Sequence, residues 1–174
     1  TEISAAVSEP VYAVTCLGER NETGAAAIPR PGWDLVVTRW IGLGGTAALA
    51  KRREGELKEV FPPALIERAK EFEIWMSVER EAKIIGRYGS CVMHDLSQGG
   101  IFGGLWELGE RWKFGMEVDL KKIPIRQETV EICEYFQVNP YNLYSGGSLL
   151  AGTAHGGGLV RGLEREGIPA VCIG

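Results

Sequence analysis

His94 and Asp95 stand side by side, with Ser97 two residues on and the glycine pairs Gly99–Gly100 and Gly103–Gly104 behind them. His94 is one of only two histidines in the chain. At the end of a strand, a histidine can bind a phosphate or pass a proton, and an aspartate can orient that ring or hold a metal ion through water. Ser97 is placed to cap the following helix by accepting a hydrogen bond from a free backbone N–H. Gly99 and Gly103, like Gly100 and Gly104, are four apart and share a helix face. Each glycine costs roughly 1 kcal/mol relative to alanine inside a helix, so the bare stripe needs compensation. Either it packs closely against a strand, or a ligand such as phosphate rests on the exposed amides at the positive end of the helix dipole. The residues leave both open. The structural alternative for the dipeptide is that Asp95 closes a turn and His94 bonds to backbone.

Other glycine clusters repeat the pattern. "YSGGSLLAG" sets Ser145, Gly146, Gly147 and Ser148 before an apolar run, which suits an anion nest or a tight turn. "WIGLGGTAAL" follows another apolar run but has neither the G-K-[ST] end of a Walker loop nor the G-x-G-x-x-G of a dinucleotide fold. "HGGGLVRGL" reads as a loop opening a helix, and "KRREGELKE" as a solvated helix face. Cys16, Cys91, Cys133 and Cys172 are scattered without a C-x-x-C pair and have no activating neighbour, which points to reduced thiols rather than a disulfide framework.

These residues need a scaffold, and the apolar periodicity supplies it. Strands are expected at 11–19 ("VYAVTCLGE"), 33–40 ("WDLVVTRW"), 91–94, 115–120 ("GMEVDL"), 148–152 ("SLLAG") and 169–174 ("PAVCIG"). Helices are expected over 41–60, after Pro62 and Pro63, after an N-cap at Ser77, over 98–110, over 126–136 and over 157–167. In 98–110, Ile101, Leu105 and Leu108 form the core face; in 126–136, Val130, Cys133 or Ile132, and Phe136 turn inward. Strands and helices alternate without strict βαβ order, so the expected architecture is α+β: an α/β/α layered domain with a mixed sheet.

The bulk numbers agree. A chain of 174 residues, 45% hydrophobic and 24% charged, can bury a core as one domain. A net charge of −4 gives no basic footprint for nucleic acid. No apolar run reaches the roughly 18 residues of a membrane helix, and no secretory signal is visible. A reduced, cytoplasmic protein is expected. Of the 24 glycines, those clustered at 42–45, 99–104, 146–147 and 156–158 lie between apolar runs and helices rather than in a linker. The chain opens almost directly on a strand and closes on another, so a longer parent protein is expected.

In order, "RPGWDLVVTRWIGLGG", "VMHDLSQGGIFGGLWELGE", "GMEVDLKKIPIRQETVEICEYFQVNPYNLYSGGSLL" and the closing "GIPAVCIG" resemble the C-terminal domain of the AIR synthase-related superfamily. That superfamily includes AIR synthase, formylglycinamidine ribonucleotide synthetase, selenophosphate synthetase, thiamine monophosphate kinase and a hydrogenase maturation protein. The resemblance covers nearly the whole of residues 1–174. It implies partial ferredoxin-like topology and an N-terminal domain, outside this chain, that carries the acidic metal ligands and most of the nucleotide site. It also implies ATP and Mg²⁺ as cofactors of the parent, a small-molecule substrate, and homodimers formed through that other domain. The ligand-side residues on this reading are His94, Asp95, Ser97, Gly99, Gly100, Ser145, Gly146 and Gly147, with the glycine stripe serving packing first and ligand approach second. His94 departs from the hydrogenase-maturation pattern, which usually has arginine there, and leaves the branch and substrate open. Two functions follow as expectations: part of an ATP-dependent enzyme that phosphorylates an oxygen of an amide or similar group, this chain being inactive alone; or a non-catalytic small-molecule or docking module.

Overall fold

Alternation of apolar residues builds one sheet. The computed structural model describes residues 27–89 and 91–174, with Thr15 and Leu17 as isolated positions. Strands β1 (Asp34–Thr38), β2 (Cys91–Asp95), β3 (Leu149–Thr153) and β4 (Ala170–Cys172) lie in the order β2–β3–β1–β4. Val36 faces Ala151 on one side and Cys172 on the other, and Met93 also faces Ala151. All three pairings are antiparallel; the parallel part of the expected mixed sheet is, among the described residues, a single bridge between Ile41 and Ile125. The expected strand at 11–19 lies outside the described residues.

The period of two sends side chains to two cores. Leu35, Val37, Val92, Leu150 and Ile173 point to one face, where Ile101 and Leu108 of a helix over Gly100–Trp112 cover them. Val36, Leu149 and Ala151 point to the other, under Ile85 of a helix over Glu79–Arg87 and Leu159 and Leu163 of a helix over Gly156–Arg165. This is the α/β/α layering that the alternation predicts. Beyond the C-terminal end of β1, a helical lobe packs around Ala50, Leu57, Ile66, Ala69 and Ile132. In chain order the helices are α1 (Leu43–Arg52), α2 (Glu54–Lys58), α3 (Pro63–Glu71), α4 (Glu79–Arg87), α5 (Gly100–Trp112), α6 (Gln127–Tyr135) and α7 (Gly156–Arg165). No helix among the described residues is long and apolar enough to cross a membrane.

Several boundaries have clear local causes. The expected helix over 41–60 breaks at Arg53, whose φ of −116° leaves the helical region. Pro63 opens α3, where a missing N–H costs nothing. Val78 rather than the expected Ser77 is the N-cap of α4, and Ser77 Oγ, one residue earlier, accepts from Glu79 N at 3.4 Å.

Two expectations are corrected. "GMEVDL" is not a strand: Asp119 N donates to Ile173 O at 2.7 Å, but Asp119 Oδ1 then accepts from Lys121 N and turns the chain into a short 3-10 turn over Leu120–Lys122. Its alternation is real, because Met116 and Val118 pack on the α5-side core, but one ladder bond does not make a strand. In α6 the inward face is Glu128, Thr129, Ile132 and Cys133, while Val130 is 43% exposed. Glu128 displaces it because Arg68 and Arg126 give a buried carboxylate its partners.

Candidate functional site

Three glycine clusters, 42–45, 99–104 and 146–147, converge at one end of the sheet, and the segment from Tyr141 to Ser148 ties them together. β1 leaves the sheet through Ile41 and reaches Gly42, which caps α1 with a left-handed φ of 74°. Gly42 N donates to Ser145 Oγ at 2.8 Å, and that hydroxyl donates to Leu143 O at 2.8 Å. Gly45 N donates to Tyr144 O at 2.8 Å. A β-carbon at Gly44 would lie 2.5 Å from the Tyr144 ring, and one at Gly45 would lie 2.7 Å from a Leu143 methyl. Thr46 Oγ1 donates to Gly42 O at 2.7 Å and sits 2.9 Å from Thr129 Oγ1, which fixes this end to α6. Glycine is required here for close approach.

At the second cluster, β2 ends at Asp95, opposite Leu149, and Leu96 N donates to Ser148 O at 3.1 Å. Ser97 is not the cap of α5. Its carbonyl accepts from Gly100 N at 3.2 Å and from Ser145 N at 3.3 Å, and the cap is Gly99 at φ 81°, without a side-chain bond. A serine cap needs extended backbone directly before the helix; two consecutive glycines in left-handed conformation, Gly99 and Gly100 (φ 61°), move the start of α5 three residues past Ser97. A β-carbon on Gly100 would run into Tyr141 O and lie 2.8 Å from Leu143 O; one on Gly104 would strike Leu96. Close packing therefore accounts for the stripe at both positions.

Of the residues singled out for chemistry, the turn Asp95–Gly100 and the turn Ser145–Gly147 are brought together, joined by the Ser145 N to Ser97 O bond. Asp95 is exposed, and its carboxylate makes no hydrogen bond or ion pair among the described residues. Gly99 is exposed and Ser97 half-buried. His94 lies on the α5 side of β2, with Nδ1 2.6 Å from Asp95 O and Nε2 2.9 Å from Glu107 Oε2, so both ring nitrogens are engaged within the protein. Ser145 is fully buried and Gly147 (φ 99°) faces Trp75 O, where a β-carbon would approach to 2.6 Å. Gly146 is half-buried beside the Tyr144 hydroxyl and Met76. Ser148 Oγ donates to Trp40 O, and Leu149 N donates to Thr38 Oγ1 at 3.0 Å. His155 opens α7, where Asp34 Oδ2 accepts from Gly156 N at 2.8 Å.

Sequence reasoning missed several participants. The strap residues Tyr141, Leu143 and Tyr144 are the contacts that make the glycines necessary, and "NPYNLYSGG" is the local signal that a turn-rich strap is present. Arg39 holds a left-handed φ of 55°; its guanidinium donates to Trp75 O at 2.6 Å and pairs with the fully buried Glu81 at 2.6 Å. Nothing in the sequence distinguishes Glu81 from its exposed neighbours.

The chemistry open to this set is limited. At α5 the amides of Gly100 and Phe102 are spent on Ser97 O and Tyr141 O, and at α1 those of Gly42 and Gly45 are spent on Ser145 Oγ and Tyr144 O. Among the described residues no three His, Cys, Asp or Glu side chains gather as a metal site. These residues by themselves do not fit a nucleoside triphosphate with its Mg²⁺; among the described residues the Asp95 carboxylate is the one of this set without a hydrogen bond or ion pair.

A sheet covered by helices on both faces, with glycine-lined turns at one end braced by a serine-bearing strap, defines an α+β domain of layered type. The chain belongs to the AIR synthase related protein, C-terminal domain family, whose sequence model matches residues 30–174. It is 26% identical over 122 residues to carbamoyl dehydratase HypE of Rhizobium leguminosarum bv. viciae, covering 70% of this chain and 33% of that protein. Its fold matches hydrogenase maturation protein HypE in complex with ATP at a TM-score of 0.61 and 17% identity, covering 86% of this chain and 44% of the other. It matches AaThiL complexed with AMPPCP and TMP at a TM-score of 0.59 and 21% identity, covering 86% and 46%. The chain spans less than half the length of each of these relatives.

Proposed function

We propose that this chain is the cleft-closing domain of a larger ATP-dependent protein, one that activates an oxygen of an amide or similar group by phosphorylation. The observation that carries the reading is the convergence of Asp95–Gly100, Ser145–Gly147 and the Gly42 turn at one end of the sheet, with Asp95 left unpaired there. The relatives support it: one is a carbamoyl dehydratase, and the two structures hold ATP or AMPPCP. On this reading the phosphate and Mg²⁺ ligands come from a domain encoded upstream. Asp95, Ser97, Gly99 and Gly146 form the facing wall, backed by His94 and by the buried Gly100, Ser145 and Gly147. The wall excludes water and supplies fixed dipoles and one carboxylate beside the transferring phosphoryl group.

A second reading, a non-catalytic docking or sensor module, is favoured by the four amides already spent within the protein. Calorimetric titration of MgATP into residues 1–174, and into the chain joined to whatever precedes Thr1 in its gene, separates the two. Binding that appears only in the longer protein, with turnover lowered by Asp95→Asn, supports the enzyme. A folded longer protein that binds no ATP refutes it.

A further inference from the structure

Among the described residues, the opposite end of the α5-side core is not filled. Where Leu35, Val92 and Gly152 leave the sheet face and α5 ends, a cavity of about 440 Å³ opens between the layers, within the ~300–1,000 Å³ range of small-molecule sites. Its walls are fixed by named bonds. Lys113, at φ 57°, ends α5 with N donating to Gly109 O at 2.7 Å and throws Phe114–Glu117 around the cavity. Leu35 N donates to Gly174 O at 2.7 Å, and Trp33 N donates to Arg30 O at 3.2 Å in the turn that forms the near wall. The floor is glycine by necessity, since a β-carbon at Gly152 would lie 2.8 Å from a Val92 methyl. Hydrogen-bonded backbone therefore fixes part of the boundary, and large side chains complete it.

The lining has a distinct chemistry. Trp33, Trp112, Phe114 and Met116 supply polarizable apolar surface. Among the described residues, Arg30 and Glu117 are the only charged side chains in the lining, and both are exposed, so they stand at the rim. An apolar chamber under one cation and one anion complements a ligand with an aromatic body and a zwitterionic head. We propose that this cavity binds a small aromatic zwitterion of amino-acid size, with its ring in the tryptophan-lined chamber and its carboxylate and ammonium toward Arg30 and Glu117. The site lies at the end of β1 away from the Gly42 turn and stands independently of the proposed ATP-linked cleft.

Titration of L-tryptophan, indole, indole-3-acetate and tryptamine into ¹⁵N-labelled protein tests the assignment. L-tryptophan shifts the amides of Gly109, Trp112 and Gly152 and binds more tightly than indole. Arg30→Gln weakens L-tryptophan and indole-3-acetate by about two- to five-fold, the scale of an exposed ion pair, and leaves indole and tryptamine unchanged. Trp112→Ala abolishes all four interactions; if that variant is unfolded by its amide dispersion, Trp33→Ala provides the same reading from the outer wall. Absence of shifts with both indole and L-tryptophan, or shifts confined to Asp95–Gly100 and Ser145–Gly147, overturns the site. Equal affinity for indole and L-tryptophan overturns the zwitterionic head.

Discussion

Gly100→Val isolates what the glycine stripe does. The residue sits at φ 61°, where a side chain costs about 1–2 kcal/mol. Its β-carbon would collide with Tyr141 O and lie 2.8 Å from Leu143 O and 2.9 Å from the Asn142 carbonyl carbon. All three are backbone atoms of a strap bonded to both α1 and Ser97, so none can move cheaply. Overpacking of this kind costs about 1–3 kcal/mol, and the two effects together reach about 2–5 kcal/mol. For a chain of this size each kcal/mol lowers the melting temperature by about 2–4 °C, giving a drop of roughly 4–20 °C. Gly100→Ala carries the same β-carbon and should show most of the loss. Gly99→Ala pays the left-handed strain but meets nothing nearer than Gly103 Cα at 3.2 Å, so it should cost less. Gly86→Ala, in α4 with open space around it, should gain about 0.5–1 kcal/mol. Urea unfolding followed by circular dichroism ranks the four. If Gly100→Val falls within about 0.5 kcal/mol of the parent, the stripe does not pack against the strap and the reasoning fails.

Ser145→Ala should cost about 1–3 kcal/mol by leaving the buried Gly42 N–H without an acceptor, while Ser148→Gly tests the neighbouring bond to Trp40 O; an unchanged urea midpoint for Ser145→Ala would contradict the assigned bond. Hydrogen bonds from Lys58 and Lys70 hold the Glu54 carboxyl at about 2, below its ordinary 4.5. The depressed value means that this stabilisation is complete above pH 4.5 and is lost as pH falls toward 2; Lys70→Met should flatten that part of the stability–pH curve. Burial raises the Glu128 carboxyl, but the Arg68 hydrogen bond, its own backbone N–H and the charges of Arg126 and Arg68 outweigh it and leave it lowered; Glu128→Gln should therefore remove a further share of the acid sensitivity. Burial pushes the Cys133 thiol to about 11, so iodoacetamide at pH 8 should label Cys91 and Cys172 in the folded protein and reach Cys133 only on unfolding, a difference read by peptide mass spectrometry. Purified residues 1–174 should hydrolyse no ATP with Mg²⁺; robust turnover would force a site built from Asp95, Glu107 or Asp119.

The layering was legible because burial on both faces of β1 and β3 leaves a strong apolar record, as in "DLVVT" and "LLAGT". The site was legible in part. Paired glycines announce close approach, but they do not say to what, and the partner strap lies about forty residues further along the chain. Ser97 was misread for the same reason. A hydroxyl two residues before a glycine pair satisfies the cap pattern, yet the left-handed turn at Gly99 and Gly100 depends on the strap carbonyls that leave Gly100 no room for a side chain. Glu81 and Glu128 were invisible because a buried carboxylate is set by arginines distant in sequence, Arg39 and Arg68.

The strap between Tyr141 and Ser148 also fixes a length. It meets α5 through Tyr141 O, α1 through Tyr144 O and Ser145 Oγ, the β2 end through Ser148 O, and then runs without slack into the β3 register opposite β2. Inserting one residue after Gly147 would either shift every β3 side chain to the other face or pull all four anchors out of place. Insertions should therefore be borne by outlying connections such as Val60–Pro62, between α2 and α3, while this stretch keeps its residue count wherever the domain keeps its fold.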